Sequence, residues 1–471
     1  MAKDFIVAIE LGSSKITGIA GKKNPDGSIT VLAVAKEDSK ACMRKGVVYN
    51  IDKTAQALTN IINKLKGSLQ TDIARVYVGV GGQSLKGVKN VVVKDLPADS
   101  IVTQDIVNEL MDTNRNMKNN DYEVLDAITQ EYKVDMQDEL DPVGVQACHI
   151  EGNFLNLLWR KTFNRSLNKC FDNAGIPIAE MYVTPLAMAE EILTEAEKRA
   201  GCMLVDLGAD TTTVAIYTRD ILRHLFVLPL GSNNITKDLT TLKMEEREAE
   251  AMKLKYASAY TEVADIDDSM VWAIDSNRSV NSRLFIDVVE ARVLEIIANV
   301  WYLVPTEYTD KLLGGIILTG GGSNLKNIDD AFRRHTHIDK VRIAKFLPLN
   351  ILPETAKISI PHDGTMNGVI SILLKGDMNC AGNDLNRTLF DDDQAVTPAA
   401  GAAQNAQQGT NHQGTTPNAN TQNATPDDPA DEDEEDTEED SSKGGKPRKN
   451  IFGKAANFLK KFGNAIIEEE K

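Results

Sequence analysis

Residues 202–217 read CMLVDLGADTTTVAIY, and the reading of this stretch decides the fold. An apolar run (Met203–Val205) meets an acid (Asp206), a glycine (Gly208) and a cluster of hydroxyls (Thr211, Thr212, Thr213), and Val214–Ile216 resume the apolar pattern. By the usual turn signals this is a β-hairpin with an acidic glycine turn. Residues 5–21, FIVAIELGSSKITGIAG, repeat the device: an apolar run, Glu10, Gly12, Ser13, Ser14, Lys15 and an apolar-rich return. The two acids stand 196 residues apart. One copy is ordinary hairpin punctuation, but two imply similar half-molecules facing each other.

Turns of small residues let backbone N–H groups approach an anion closely. Hydroxyls add donors and Lys15 adds a cation. A carboxylate at each tip repels phosphate unless a divalent metal lies between. Mg²⁺ suits the pair, because it keeps most of its waters and takes few direct carboxylates. Glu10 and Asp206 are therefore expected to hold Mg²⁺ through water. Gly12, Ser13, Ser14, Lys15, Gly208, Asp210 and Thr211 are expected to cradle the phosphates of a nucleotide. A third turn, GIILTGGGS (Gly315–Ser323), ends a buried-strand run in Gly320, Gly321 and Gly322, which would admit the nucleoside. Glu250 and Lys253 lie three apart in a helix-like run and share a face, either at the same nucleotide or as a surface ion pair.

Acidic hairpin, second acidic hairpin and late TGGG loop, in this order, resemble the actin-like ATPase superfamily. GVGGQSLKG, ITQEYKVDMQDELDPVGV (Ile128–Val145), DLGADTTTVAIYT, the EAMK run and GGIILTGGGSNL resemble, more narrowly, the bacterial FtsA cell-division family. The likeness covers roughly residues 4–375. It implies an α/β, actin-like two-lobed ATPase fold with a small inserted α/β subdomain, a disordered acidic linker and a C-terminal amphipathic helix. Relatives commonly carry two or three glycines in the second turn, where this chain has Gly208-Ala209-Asp210. An inward Asp210 would set another negative charge beside the terminal phosphate; an outward one would not matter.

At 471 residues the chain has room for two to four domains, and 42% apolar residues suffice for ordinary cores. Its net charge of −17 argues against a nucleic-acid partner. Five scattered cysteines show no metal spacing and read as reduced thiols. The N-terminus is too short in apolar run and too charged for a signal peptide, and no run approaches a membrane span.

Strands are expected at 4–9, 16–20, 29–35 and 76–80, and a helix over 51–69. These residues (1–83), with 165–199, make the first subdomain. Residues 84–164 read as an inserted α/β module with strands at 88–93, 130–134 and 146–151 and a helix over 103–116 capped by Thr103. A helix over 161–174 and a short strand at 178–183 follow. One helix, 185–198, leads to the second hairpin as the hinge. The second subdomain takes 200–239 and 300–376, and its small lobe 240–299. Residues 377–449 have almost no large apolar side chains and are expected to be disordered, with a reach of roughly 45–50 Å. Within them, Asp427–Asp440 carries eleven carboxylates.

Residues 450–471 regain a helical period. Ile451, Phe452, Phe458, Leu459, Phe462 and Ile466 share one face, while Lys454, Lys460 and Lys461 lie largely on the other. Such a helix suits an anionic membrane surface, with a partner groove as the rival reading. The resemblance implies a protein that binds ATP and polymerises on the cytoplasmic side of the cell membrane at the division septum. It also implies anchoring of the tubulin-like FtsZ, whose C-terminal peptide docks on the small lobe. Arg283 and Arg292 are candidates there for meeting that acidic peptide. The inserted module would contact neighbouring subunits or later division proteins, and hydrolysis would be slow or absent. A pilus-type actin-like adaptor is the alternative, and a small-molecule kinase a more distant one.

Overall fold

In the computed structural model, residues 4–384 are described; the rest of the expected linker and all of 450–471 lie outside the described residues. The first hairpin forms as read, Ile6–Leu11 antiparallel to Lys15–Lys23 with Ile6 opposite Gly21 and Leu11 opposite Ile16. Val76–Val80 runs parallel on its other side, Glu10 opposite Gly79. The whole sheet has six strands in the order Ile178–Val183, Val76–Val80, Ile6–Leu11, Lys15–Lys23, Ile29–Asp38 and Ile351–Pro353. Helix Ile51–Leu69 is held by Asn50, whose side chain accepts from the Lys53 N–H. Its Leu58, Ile61 and Leu65 are fully buried, worth about 2 kcal/mol each in removed apolar surface. Ile61 of this helix lies over Gly18, and Leu373 of helix Asn367–Lys375 lies over Gly21. Three residues along one strand point to opposite faces, so helices cover both sides of the sheet.

The second half repeats this plan. Cys202–Leu207 pairs antiparallel with Thr212–Thr218 and parallel with Gly315–Thr319, placing Asp206 opposite Thr319 as Glu10 is opposite Gly79. The sheet order is Ile221–Leu228, Thr212–Thr218, Cys202–Leu207, Gly315–Thr319, Val341–Ile343. Its small lobe is built on helices Glu246–Tyr256 and Ser282–Tyr302 and a two-stranded ribbon. There Trp272 stacks on Tyr256 at 4.6 Å and meets Phe285 edge-on.

The inserted module is a four-stranded antiparallel sheet with helix Gln104–Arg115 on one face, and Thr103 caps that helix as expected. Its strands are much longer than periodicity suggested: Lys86–Ile101, Tyr122–Val134 and Gln146–Arg160. The far end of the last strand, Phe154–Trp159, is buried throughout. There the strand is covered on both sides, so the alternation that marks a half-exposed strand is lost.

Two expectations are corrected. The single hinge helix 185–198 is two helices, Thr184–Ile192 and Glu195–Ala200. Thr194 breaks them by capping the second: its Oγ1 accepts from the Glu197 N–H at 3.2 Å while Glu197 Oε2 accepts from the Thr194 N–H at 2.9 Å. The linker does not begin at Asp377. Tyr77 Oη donates to Asp377 Oδ1 and accepts from the Asp377 and Met378 N–H groups, Cys380 is buried, and Ala381–Asp384 pairs with Thr71–Ile73. These residues are held mainly by polar bonds to a distant tyrosine, which an apolar pattern does not reveal.

Arg342 closes the hinge by donating to both Glu197 oxygens, at 2.7 and 2.8 Å, and to the Ile192 carbonyl at 2.9 Å. Burial alone would raise the Glu197 pKa, but the Arg342 fork and the Thr194 N–H outweigh it and hold it at about 2. A depressed carboxylate contributes stability above its unfolded pKa and loses it as pH falls through the folded value. Glu197→Gln should therefore lower the thermal midpoint at pH 7. Because Arg342 is partly exposed, a loss of about 1–3 kcal/mol is expected. The gap to the parent should narrow as pH falls from 4 towards 2; a pH-independent gap in calorimetry would refute the ion-pair account.

Candidate functional site

The two acidic turns meet across one cavity of about 520 Å³. They are built alike. The Gly12 N–H donates to the Lys15 carbonyl at 3.1 Å, and the Gly208 N–H to the Thr211 carbonyl at 2.9 Å. A Cβ at either glycine would sit 2.7 Å from that carbonyl oxygen, so only glycine closes the turn. Ser13 Oγ accepts from the Gly46 N–H at 2.8 Å, and Ser39 Oγ donates to the Gly12 carbonyl at 2.7 Å. The loop after Ile29–Asp38 thus braces the first turn.

Glu10 and Asp206 both line the cavity, each pressed against a glycine of another element: Glu10 Oε1 against Gly368, Asp206 Oδ1 against Gly320. A side chain at either glycine would overlap the carboxylate. Burial, and then the Asp206 charge, push the Glu10 carboxyl up to about 7, despite Lys15 and the Val369 N–H; burial pushes Asp206 up to about 6. Both carboxyls thus sit above the usual carboxylate range, Glu10 the further of the two.

Gly12, Ser13, Ser14, Lys15, Gly208, Thr211, Gly320, Gly321, Gly322, Glu250 and Lys253 also line the cavity. Glu250 and Lys253 are no surface pair. Lys253 is buried and bonds Glu250 Oε2 at 2.7 Å, Thr236 Oγ1 at 3.0 Å and the Ser232 carbonyl at 3.3 Å. Those acceptors occupy its three ammonium protons, so Lys253 fixes Glu250 rather than offering a free cation. Asp210 faces away from the cavity: Oδ1 accepts from Asn233 Nδ2 at 2.7 Å and Oδ2 from the Lys45 N–H at 3.4 Å. The helix starting at Ser232 holds the turn that way, since the Ser232 and Asn233 N–H groups bond the Gly208 and Ala209 carbonyls.

Several cavity residues carried no sequence signal. Thr184 opens the hinge helix, and Asp363 and Asn324 close the far side, Asn324 Nδ2 donating to the Asp363 carbonyl at 2.6 Å. Asp363 belongs to a loop without motif or period. The pair Gly81-Gly82, also lining, lies in GVGGQSLKG, a stretch that carries the family resemblance without pointing to the cavity.

The two arginines separate. Arg292 is half-buried and forked on Asp238, with Glu295 on its other nitrogen, so it is consumed inside the lobe. Arg283 is half-buried on the lobe surface and pairs with Asp287 at 3.2 Å and Asp268 at 3.7 Å, beside Leu284, which is half exposed. The nine residues assigned to membrane contact, Ile451 to Ile466, lie outside the described residues. All five cysteines are free thiols, and Cys148 alone of them is exposed.

Residues 203–361 match the sequence model of cell division protein FtsA, and residues 82–158 that of the SHS2 domain inserted in FtsA. The chain is 32% identical over 333 residues to a cell division protein FtsA of Porphyromonas gingivalis, covering 69% of this chain and 70% of that one. With the Escherichia coli K12 protein of the same description it shares 24% over 381 residues, 78% and 90% of the two chains. Among solved structures, the PilM–PilN type IV pilus biogenesis complex is similar in fold, with a TM-score of 0.53 at 13% identity over 79% of this chain and 98% of that one. The chain belongs to the FtsA family of cell-division proteins, and its fold is actin-like with an inserted SHS2 domain.

Proposed function

We propose that the protein binds Mg-ATP between its two acidic turns and assembles on the cytoplasmic face of the cell membrane at the division site. There it tethers the FtsZ C-terminal peptide to the membrane. The observation that carries this reading is the meeting of Glu10 and Asp206 in one cavity, each flanked by a turn of the same construction. Two buried carboxylates with raised pKa fit a hydrated Mg²⁺ that takes few protein oxygens directly. When bound, the metal neutralises phosphate charge. The chain's own residues do the rest: turn N–H groups and the Ser13, Ser14 and Thr211 hydroxyls hold the phosphates, and Lys15 adds a charge. The Glu250 oxygen not taken by Lys253 and Thr236 accepts from a ribose hydroxyl.

Among the described residues no histidine lines the cavity, and the lining carboxylates other than Glu250 are Glu10, Asp206 and Asp363. With two of these committed to metal, a proton acceptor for hydrolysis is scarce. ATP then serves to close the lobes and set assembly rather than to drive rapid turnover. Assembly multiplies the weak C-terminal helices, so avidity holds the polymer on anionic lipid. The FtsZ peptide is proposed to meet Arg283 and the exposed Leu284, Met270 and Val271 of the small lobe. Later division proteins would meet the inserted SHS2 domain.

Asp206→Ala should abolish magnesium-dependent ATP binding by calorimetry, and wild-type affinity in that variant would contradict the two-turn site. Both acids must lose protons to take metal, so Mg-ATP affinity of the parent should rise about tenfold from pH 6 to pH 8, with proton release on binding. Because Asp210 points out of the cavity, Asp210→Gly should leave ATP affinity within about twofold; a large gain would mean its charge reaches the phosphates. Full-length protein with ATP should sediment with anionic vesicles, and removal of residues 450–471 should eliminate this while leaving ATP affinity intact.

A further inference from the structure

One segment of the first half reaches both acidic turns. Residues 39–46 follow strand Ile29–Asp38 and are anchored in the larger hydrophobic core by Cys42 and Met43. Ser39 braces the first turn: its N–H donates to the Ser14 carbonyl at 3.2 Å and its Oγ to the Gly12 carbonyl at 2.7 Å. At the far end of the segment, two consecutive backbone N–H groups serve opposite turns. The Gly46 N–H donates to Ser13 Oγ of the first, at 2.8 Å, and the Lys45 N–H to Asp210 Oδ2 of the second, at 3.4 Å. Lys45 and Gly46 hold φ of 50° and 73°, both left-handed. A Cβ on Gly46 would stand 2.5 Å from the Gly82 Cα, so the bend is wedged in place. A lysine in that region is strained, and such strain concentrates where function holds it.

The same segment crosses to the second half once more. Lys40 Nζ pairs with Glu246 Oε1 at 3.3 Å, on the small-lobe helix Glu246–Tyr256. Glu246 lies one turn before Glu250 and shares its face. Burial works against the Glu250 carboxylate, but Lys253, Thr236 and then Lys40 hold its pKa down. Gly46 and Glu250 both line the cavity, so both crossings stand at its edge. Neither is strong: the ion pair is 52% and 60% exposed on its two sides, and the Asp210 contact is long. Contacts of that strength suit a closure that must come undone.

We propose that these two crossings form a latch that sets how fast nucleotide enters and leaves the cavity. The inference rests on the Mg-ATP site proposed above. Uptake and release both require the lobes to part, and parting breaks the same two contacts in either direction. A contact made alike with and without nucleotide slows both steps by one factor and cancels from the affinity. Asp210, Lys40 and Glu246 are therefore positioning residues that act on rates and not as phosphate ligands.

Uptake and release of radiolabelled Mg-ATP by the full-length protein, timed by rapid filtration, test this. Asp210→Ala and Glu246→Ala should each speed both steps about threefold, and together about tenfold, with affinity within about twofold of the parent. Lys40→Arg keeps the ion pair and should exchange at the parent's rate. Unchanged rates in the double variant would overturn the proposal. Faster release with unchanged uptake, the mark of an ordinary binding contact, would do the same. A second measurement needs no nucleotide. In a Cys148→Ser background, which removes the exposed native thiol, Lys40→Cys with Glu246→Cys should be joined by a short bismaleimide whether or not ATP is present. The joined protein should neither take up nor release ATP. Folded protein that does not join, or joined protein that exchanges normally, refutes the latch. Joining without any ATP binding by the parent would remove the Mg-ATP reading and the latch's kinetic role with it. ATP binding at rates indifferent to these residues would remove the latch alone.

Discussion

Two acids that repel each other hold the key to this molecule. Glu10 and Asp206 are buried in one cleft, each at the end of a strand and each wedged under a glycine, and both are displaced towards their neutral forms. An arrangement of this kind costs free energy, because burying two like charges with little counter-charge is unfavourable. Carboxylates perturbed in this way by burial and a like charge cluster at functional sites. The halves of the protein are arranged so that the cost is borne at one point, with the hinge and braces built around it.

The surroundings keep the acids from escaping. The Glu197–Arg342 fork pins the break between the hinge helices to the second-lobe strand Val341–Ile343, and Asn367 ties the last core helix to Thr319 and Ala344. The brace from Ser39 and Gly46 locks the first turn, and helix Ser232–Thr240 locks the second. Each lock is a hydrogen bond between elements far apart in the chain. Asp210 is one of them: a residue of the second acidic turn whose carboxylate accepts from Asn233 and the Lys45 N–H rather than facing the cavity.

The legible part of the site was the part carried by local turn chemistry. Gly12 and Gly208 announce themselves, because no other residue closes so tight a turn, and the acid before each marks the strand end. Thr184, Asn324 and Asp363 did not, since each enters the cavity from a different element and none sits in a repeating pattern. Lys253 and Arg292 were visible as charges, but their roles turned on which acceptors surround them. Three acceptors consume the first, and Asp238 with Glu295 consume the second. The last strand of the inserted domain reads too short for a related reason: burial on both sides of Phe154–Trp159 erases the alternation that sequence periodicity reads.

By itself, then, the amino-acid order determined two hairpin half-molecules, a third glycine loop, the place of the insertion, and the residue types able to grip an anion through a cation. Those features depend on contacts within a few residues, where backbone sterics and turn geometry allow one solution. The expected meeting of Glu10 and Asp206 in one cleft is what the tertiary structure shows, and it alone decided that Asp210 turns away from that cleft. It also decided that the hinge helix breaks at Thr194 and that the ordered chain runs on past Gly376. Each of these depends on which distant element supplies the facing atoms, and on whether water or protein fills the remaining space. No short-range rule contains that information.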